Sequence, residues 1–279
     1  MDTEPTPIPE PTPETAQWKR AAAALGRAVG RGATAVGGAV ADGWRALDPT
    51  LLEHLAQTPL VGLTHLMPGR APIQSVATDG RRALLFVHGF GGHRGNFLPM
   101  QAWFKWHGRT RTLALGFEPG PTLEDLATQL SALITEVRTT WGLADERSIE
   151  LVGHSMGGLV CRLALEDPAT RAAVAGLVTL GTPHAGTGLA RLARTPKTLA
   201  LRPGSAVQAR LAAQVPWPAD MPPLTSFWSP DDLVLMPPES ACLEGARLVS
   251  VPGFTHLSWL VHPRAWTLVQ TELDALPDA

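Results

Sequence analysis

A serine between two glycines is the first place in this chain where chemistry could be done. Ser155 stands in Gly153-His154-Ser155-Met156-Gly157, with the apolar run Ile149–Val152 before it and the helix-forming run LVCRLALE close behind. Strand, sharp turn and helix is the setting that lifts a serine hydroxyl out of a sheet, and the glycines leave room where a side chain would collide. The helix start brings free N–H groups that favour developing negative charge. A serine hydroxyl is a poor nucleophile near neutral pH, so it needs a base, and the base needs an acid to orient it. On strand–turn–helix sites of this kind those partners follow in the order acid, then histidine.

Downstream of Ser155 the chain offers His184, His256 and His262. His256 lies in VPGFTHLSW, after the last apolar strand and before the closing helix, where a loop could swing back over the serine. His262 stands beside Pro263 and reads as a surface or cap residue. The acid belongs in the loop after the preceding strand, where SFWSPDDLVLMP places Asp231 and Asp232. Asp232, followed by an apolar run that returns to the body of the fold, is the favoured partner of the imidazole, and Asp231 is the alternative. Asp220 and Asp145 read as ordinary surface acids.

An oxyanion needs preorganised donors. The N–H of Met156 is one. The other is expected from the glycine-rich stretch HGFGGHRGN at 88–96, with the N–H of Phe90, next to Gly89, as the candidate. His88 reads as a buttress of that loop and His154 as a local packing or hydrogen-bonding residue.

The elements that must hold these groups begin at Arg81. Apolar strands are expected at 83–89, 110–119, 148–153, 174–184, 224–229 and 246–251. Helices are expected at 96–107, at 122–141 with Thr122 as cap, after the serine as far as Asp167-Pro168, and at 257–276 with a break near Pro263. Continuous apolar strands alternating with helices predict an α/β fold, a mostly parallel sheet of about six strands covered on both faces. The site should lie at the carboxyl ends of the strands.

The chain has 279 residues, 44% hydrophobic and 17% charged, with a net charge of −2. That is enough for one large domain and gives no reason to expect a nucleic acid partner. Cys161 and Cys242 lack metal-ligand spacing, and Cys161 reads as a small buried residue. Residues 1–16, Pro-rich and acidic, read as a disordered tail and not as a signal peptide. Residues 17–70 read as a helical extension to a domain spanning 71–279. Within that extension, residues 17–48 carry an apolar face at steps of three and four, diluted by glycines. It needs a surface: the body of the fold, a second copy of the chain, or a lipid membrane contacted peripherally. Residues 49–70 read as a short helix and an apolar connector. No run of 18 apolar residues is present, and a cytoplasmic location is expected.

HGFGG, GHSMGG, GTPHAGT, DDLVLMP and GFTHLSW, in this order, resemble bacterial serine lipases and carboxylesterases of the α/β-hydrolase superfamily, over about residues 80–270. The resemblance implies an α/β-hydrolase fold and an ester hydrolase with Ser155, Asp232 and His256 as its triad. It implies a small-molecule or lipid ester as substrate and no metal or organic cofactor. The same triad serves thioesterases, amidases and acyltransferases, and a non-catalytic interaction protein on this fold is the remaining alternative. Matching the family's GTPH loop gives His184 a shaping role. Residues 185–222 stand where such folds carry a lid or cap, with Leu189, Leu192, Leu199, Leu201 and Trp217 as residues that could line an acyl groove.

Overall fold

The structure is a computed structural model, and it describes residues 49–63, 72–120 and 122–277. The extension at 17–48 and the tail at 1–16 lie outside the described residues, as does the connector at 64–71.

Six strands form one sheet: β1 (Ala83–Val87), β2 (Thr112–Ala114), β3 (Ile149–His154), β4 (Val174–Leu180), β5 (Leu224–Trp228) and β6 (Arg247–Ser250). Their order is β2-β1-β3-β4-β5-β6, and every neighbouring pair is parallel. The strands are shorter than the apolar runs suggest. The run at 110–119 keeps only three ladder residues, because Phe117, Glu118 and Pro119 peel away to wall a cavity.

Both faces of the sheet are covered, as its pattern of side chains requires. Ala83, Leu85 and Val87 of β1 join one apolar cluster, and Leu84 and Phe86 join the other. On the first face lie α3 (Leu123–Trp141) and α4 (Met156–Ala164). Helix α3 buries Leu123, Leu126, Leu130, Ile134 and Val137 at steps of three and four, each contributing roughly 1.5–3 kcal/mol. Thr122 caps it: its hydroxyl accepts from the Asp125 N–H while the Asp125 carboxylate accepts from the Thr122 N–H. On the second face lie α2 (Leu98–Trp106) and α9 (Pro263–Asp274), together with Val61 of α1 (Pro49–Leu63). His262 caps α9 by accepting from the Arg264 N–H at 3.1 Å. The helix after the serine stops at Ala164. Asp167 instead caps α5 (Pro168–Ala173), with its carboxylate accepting from the Thr170 N–H.

Residues 185–222 fold into two short helices, α6 (Pro196–Ala200) and α7 (Ala206–Ala212), with irregular connections. The fully buried Arg162 of α4 fastens α7 by donating to the Leu211 carbonyl at 2.7 Å and to Gln214 Oε1 at 3.2 Å. Four of the residues read as a groove lining line neither cavity beside Ser155. Leu201 and Trp217 are core residues, whereas Leu192 is 82% and Leu199 43% exposed. Amphipathic spacing shows that a residue meets a surface and not which surface.

Chain order reverses between β1 and β3, which places the crevice of this fold at their carboxyl ends. A cavity of about 460 Å³ lies at the opposite end of the sheet, among Arg82, Arg111, Ser148 and Glu150. Its floor is the buried Glu150 of β3, ion-paired with Arg109 and Arg82.

Candidate active site

Ser155 is the residue at which β3 becomes α4, and its backbone has φ 55° and ψ −127°. A non-glycine residue at positive φ carries about 1–3 kcal/mol of strain and persists only where its surroundings enforce it. The enforcement is visible. The Ser155 N–H donates to the Leu180 carbonyl of β4 at 2.9 Å. A Cβ on Gly157 would stand 2.2 Å from the Val87 carbonyl oxygen of β1, and one on Gly153 2.6 Å from the Cα of Gly158. One on Gly158 would stand 2.2 Å from the Thr182 hydroxyl. So the three glycines of GHSMGG each answer to a named neighbour, and the GTPH segment presses on the turn through Thr182.

His256 sits in the loop between β6 and the one-turn helix α8 (Ser258–Val261). Its Nδ1 lies 2.8 Å from Asp232 Oδ2, and both side chains are buried. Asp232 Oδ1 accepts from the Val234 and Leu235 N–H groups at 2.9 and 3.2 Å. Burial works to raise this carboxyl, but the His256 ring and the two N–H donors outweigh it and hold it below the usual carboxylate range. An ionised Asp232 can only accept, so the proton of a neutral His256 is on Nδ1 and its Nε2 lone pair is left as a base. Asp231 turns the other way and accepts from the Gly253 N–H at 2.6 Å. The adjacent aspartates thus hold the histidine loop at two points.

His154 is buried below the same loop. Its Nε2 donates to the His256 carbonyl at 3.0 Å, and the two rings stand 4.7 Å apart. Burial, then the neighbouring His256, push its pKa down to about 3, so it stays neutral. His184 lies deeper, accepting from Arg162 at 3.3 Å and bonded to the Thr179 hydroxyl at 3.1 Å. Burial and then the Arg162 charge hold its pKa well below the ordinary value. It lines neither cavity beside Ser155, and its two ring hydrogen bonds tie the Thr182 loop to α4 and β4.

Helix α1 reaches the site from the far end of the sequence. The Gln57 carbonyl oxygen accepts from the Thr255 hydroxyl at 2.8 Å, and its amide donates to Ser258 Oγ at 3.1 Å. Ser258 in turn donates to Glu53 at 3.3 Å. The short helix expected within residues 49–70 is present, but no motif announces these contacts, because its partners lie some 200 positions away.

Ser155, His154 and His256 open on one cavity of about 290 Å³, walled by Gly89, Phe90, Val61 and Leu260. A second cavity, about 380 Å³, shares Gly89, Gly91 and Gly92 as a wall and contains Met156 and His88. The His88 ring nitrogen meets the Gly89 carbonyl at 3.0 Å and steadies that wall. A Cβ on Gly89 would be 2.8 Å from that of Ser155, so the glycine loop lies directly against the serine. Residues 185–222 supply Lys197 to the second cavity, whereas α1 supplies Thr58, Val61 and Gly62 to the first.

The two neutral, buried histidines fix the acid side of stability. Unfolded, His154 and His184 take up protons below about pH 6.5. Folded, they do not until far lower pH, so the unfolded state binds more protons in that window. Stability is therefore present above pH 6.5 and is expected to fall as pH drops, by up to about 1.4 kcal/mol per pH unit for each histidine. Urea unfolding at pH 7.0, 6.0 and 5.0 checks this; an equal midpoint at all three contradicts it.

A family described as the PGAP1-like alpha/beta domain matches residues 99–195. Among solved structures, the mature form of a Bacillus licheniformis lipase aligns at a TM-score of 0.61 and 18% identity, over 74% of this chain and 99% of that one. Aspergillus fumigatus lipase B aligns at 0.61 and 19%, over 75% of this chain and 60% of that one. A Rhodococcus esterase aligns at 0.51 and 17%, over 72% and 94%. No curated protein sequence matches the chain. At these identities the likeness is one of architecture: the chain has the α/β-hydrolase fold.

Proposed function

We propose that this protein hydrolyses carboxylic esters through an acyl-enzyme on Ser155. His256 takes the serine proton at Nε2 as Oγ attacks the ester carbonyl carbon, and Asp232 holds the imidazole and stabilises its charge. The N–H groups of Phe90 and Met156 stabilise the oxyanion, each contributing about 3–4 kcal/mol. Collapse of the tetrahedral intermediate breaks the bond to the alkoxy oxygen, which leaves with the proton from His256. Water, deprotonated by the same histidine, then attacks the acyl-enzyme and frees the acid and Ser155. His154, His88 and Gly89 shape the site, and His184 braces it from below.

One observation carries this reading: a serine held at φ 55° opens on the same cavity as a histidine whose far nitrogen is 2.8 Å from a buried aspartate. The lipases and esterases among the similar structures support an ester or lipid as substrate. A peripheral membrane face or self-association through residues 17–48 belongs to the same proposal. Among the described residues no helix is long and apolar enough to cross a membrane. A fluorophosphonate probe tests the assignment: one label on Ser155, with loss of ester turnover, is expected. A protein that turns over esters while Ser155 stays unlabelled would falsify it.

A further inference from the structure

The two cavities that meet at the glycine loop differ in chemistry. The one holding His256 is walled by Phe90, Val61, Leu257 and Leu260, and its polar groups are largely those of the reaction. The other is walled by Phe117 and Leu126 but also receives Arg94 and Lys197, with His88 and His93 beside them. Arg94 and Lys197 have no ion pair among the described residues, and Arg94 Nε is buried with no hydrogen-bond partner. The acid on this wall, Glu118, is exposed, and its backbone is held by Gln129. Both side chains are partly exposed and line the same cavity, so an anion that enters it meets two cations able to give charge-assisted hydrogen bonds, and Arg94 Nε gains the partner it lacks.

The reaction decides which part of a substrate enters. His256 must hand its proton to the leaving oxygen, so the alcohol side lies in the cavity that His256 lines. Of the two N–H groups assigned to the oxyanion, that of Phe90 belongs to the His256 cavity and that of Met156 to the other, so the carbonyl would sit where the cavities adjoin at Gly89, and with the alcohol in the first the acyl side extends into the second. We propose that the preferred substrates are esters whose acyl part ends in a carboxylate, half-esters of short dicarboxylic acids, with Arg94 and Lys197 binding that carboxylate. This rests on the ester-hydrolase reading above and narrows its substrate class.

The test compares the 4-nitrophenyl half-ester of glutaric acid with 4-nitrophenyl valerate, which share a leaving group and nearly a length. The full-length protein is expected to favour the half-ester at least tenfold in kcat/KM. Arg94→Gln and Lys197→Gln are each expected to cut that ratio about tenfold, as is 0.5 M salt. A ratio at or below one in the wild-type chain, or one that both substitutions leave unmoved, overturns the proposal. So does an anion preference that appears only when the carboxylate is on the alcohol, as in acetylated 4-hydroxybenzoate. Calorimetric binding of glutarate to the Ser155→Ala protein separates this proposal from the reading beneath it. Glutarate bound there and weakened tenfold by Arg94→Gln supports the anion site even where turnover fails. Glutarate bound no better than valeramide removes the site even where esters are hydrolysed.

Discussion

Alanine at position 155 is expected to lower kcat on a 4-nitrophenyl ester by about 10⁶-fold, the scale seen when a serine nucleophile is removed from a triad that works as a unit. The fold should survive. Alanine keeps the Cβ, so the strain at φ 55° is neither added to nor relieved, and the bond from the residue 155 N–H to Leu180 is made by the backbone. The melting temperature should therefore stay close to that of the parent while turnover disappears. Steady-state rates with thermal unfolding on the same preparation check both halves. Residual activity within tenfold of the parent would remove Ser155 from the chemistry.

Asparagine in place of Asp232 is expected to cost about 10⁴ in kcat, with KM far less changed. The amide oxygen could still accept from the Val234 and Leu235 N–H groups at the Oδ1 position, so the turn should hold. At the Oδ2 position, 2.8 Å from His256 Nδ1, an NH2 group would stand where a carboxylate stood. It can only donate, so it selects the wrong imidazole tautomer and removes the charge that steadies the imidazolium. Asp231→Asn is the comparison. Its carboxylate serves the Gly253 N–H, a bond that an asparagine oxygen can keep, and the loss there should be small. Equal losses at 231 and 232 would mean that the carboxylates act on the loop and not on the proton.

The parts of this site that could be read from the chain are those fixed by local geometry. Gly153 and Gly157 declare a turn around Ser155 because a side chain at either would collide with Gly158 or Val87. Topology then limits where an acid and a histidine could stand, and Asp232 and His256 occupy those places against each other. The parallel sheet was legible for a similar reason, since strands buried on both faces must be apolar throughout. The strand ends were not, because an apolar residue such as Phe117 serves a cavity wall as readily as a ladder. Nor was it legible that Leu201 and Trp217 go into the core while Leu192 and Leu199 stay exposed, since all four are apolar residues of one segment. A short helix was expected within residues 49–70, but its contacts with Thr255 and Ser258, like the pairing of Arg94 with Lys197 at one cavity, come from neighbours distant in sequence and were not legible.

Helix α1 has a consequence for how the site can open. Val61 walls the serine's cavity, while one turn earlier Gln57 divides its amide between Thr255 and Ser258, which flank His256. Any displacement of α1 would therefore remove hydrogen bonds from residues on both sides of His256. The helix that limits the room beside Ser155 is thus also a support of the loop that carries His256.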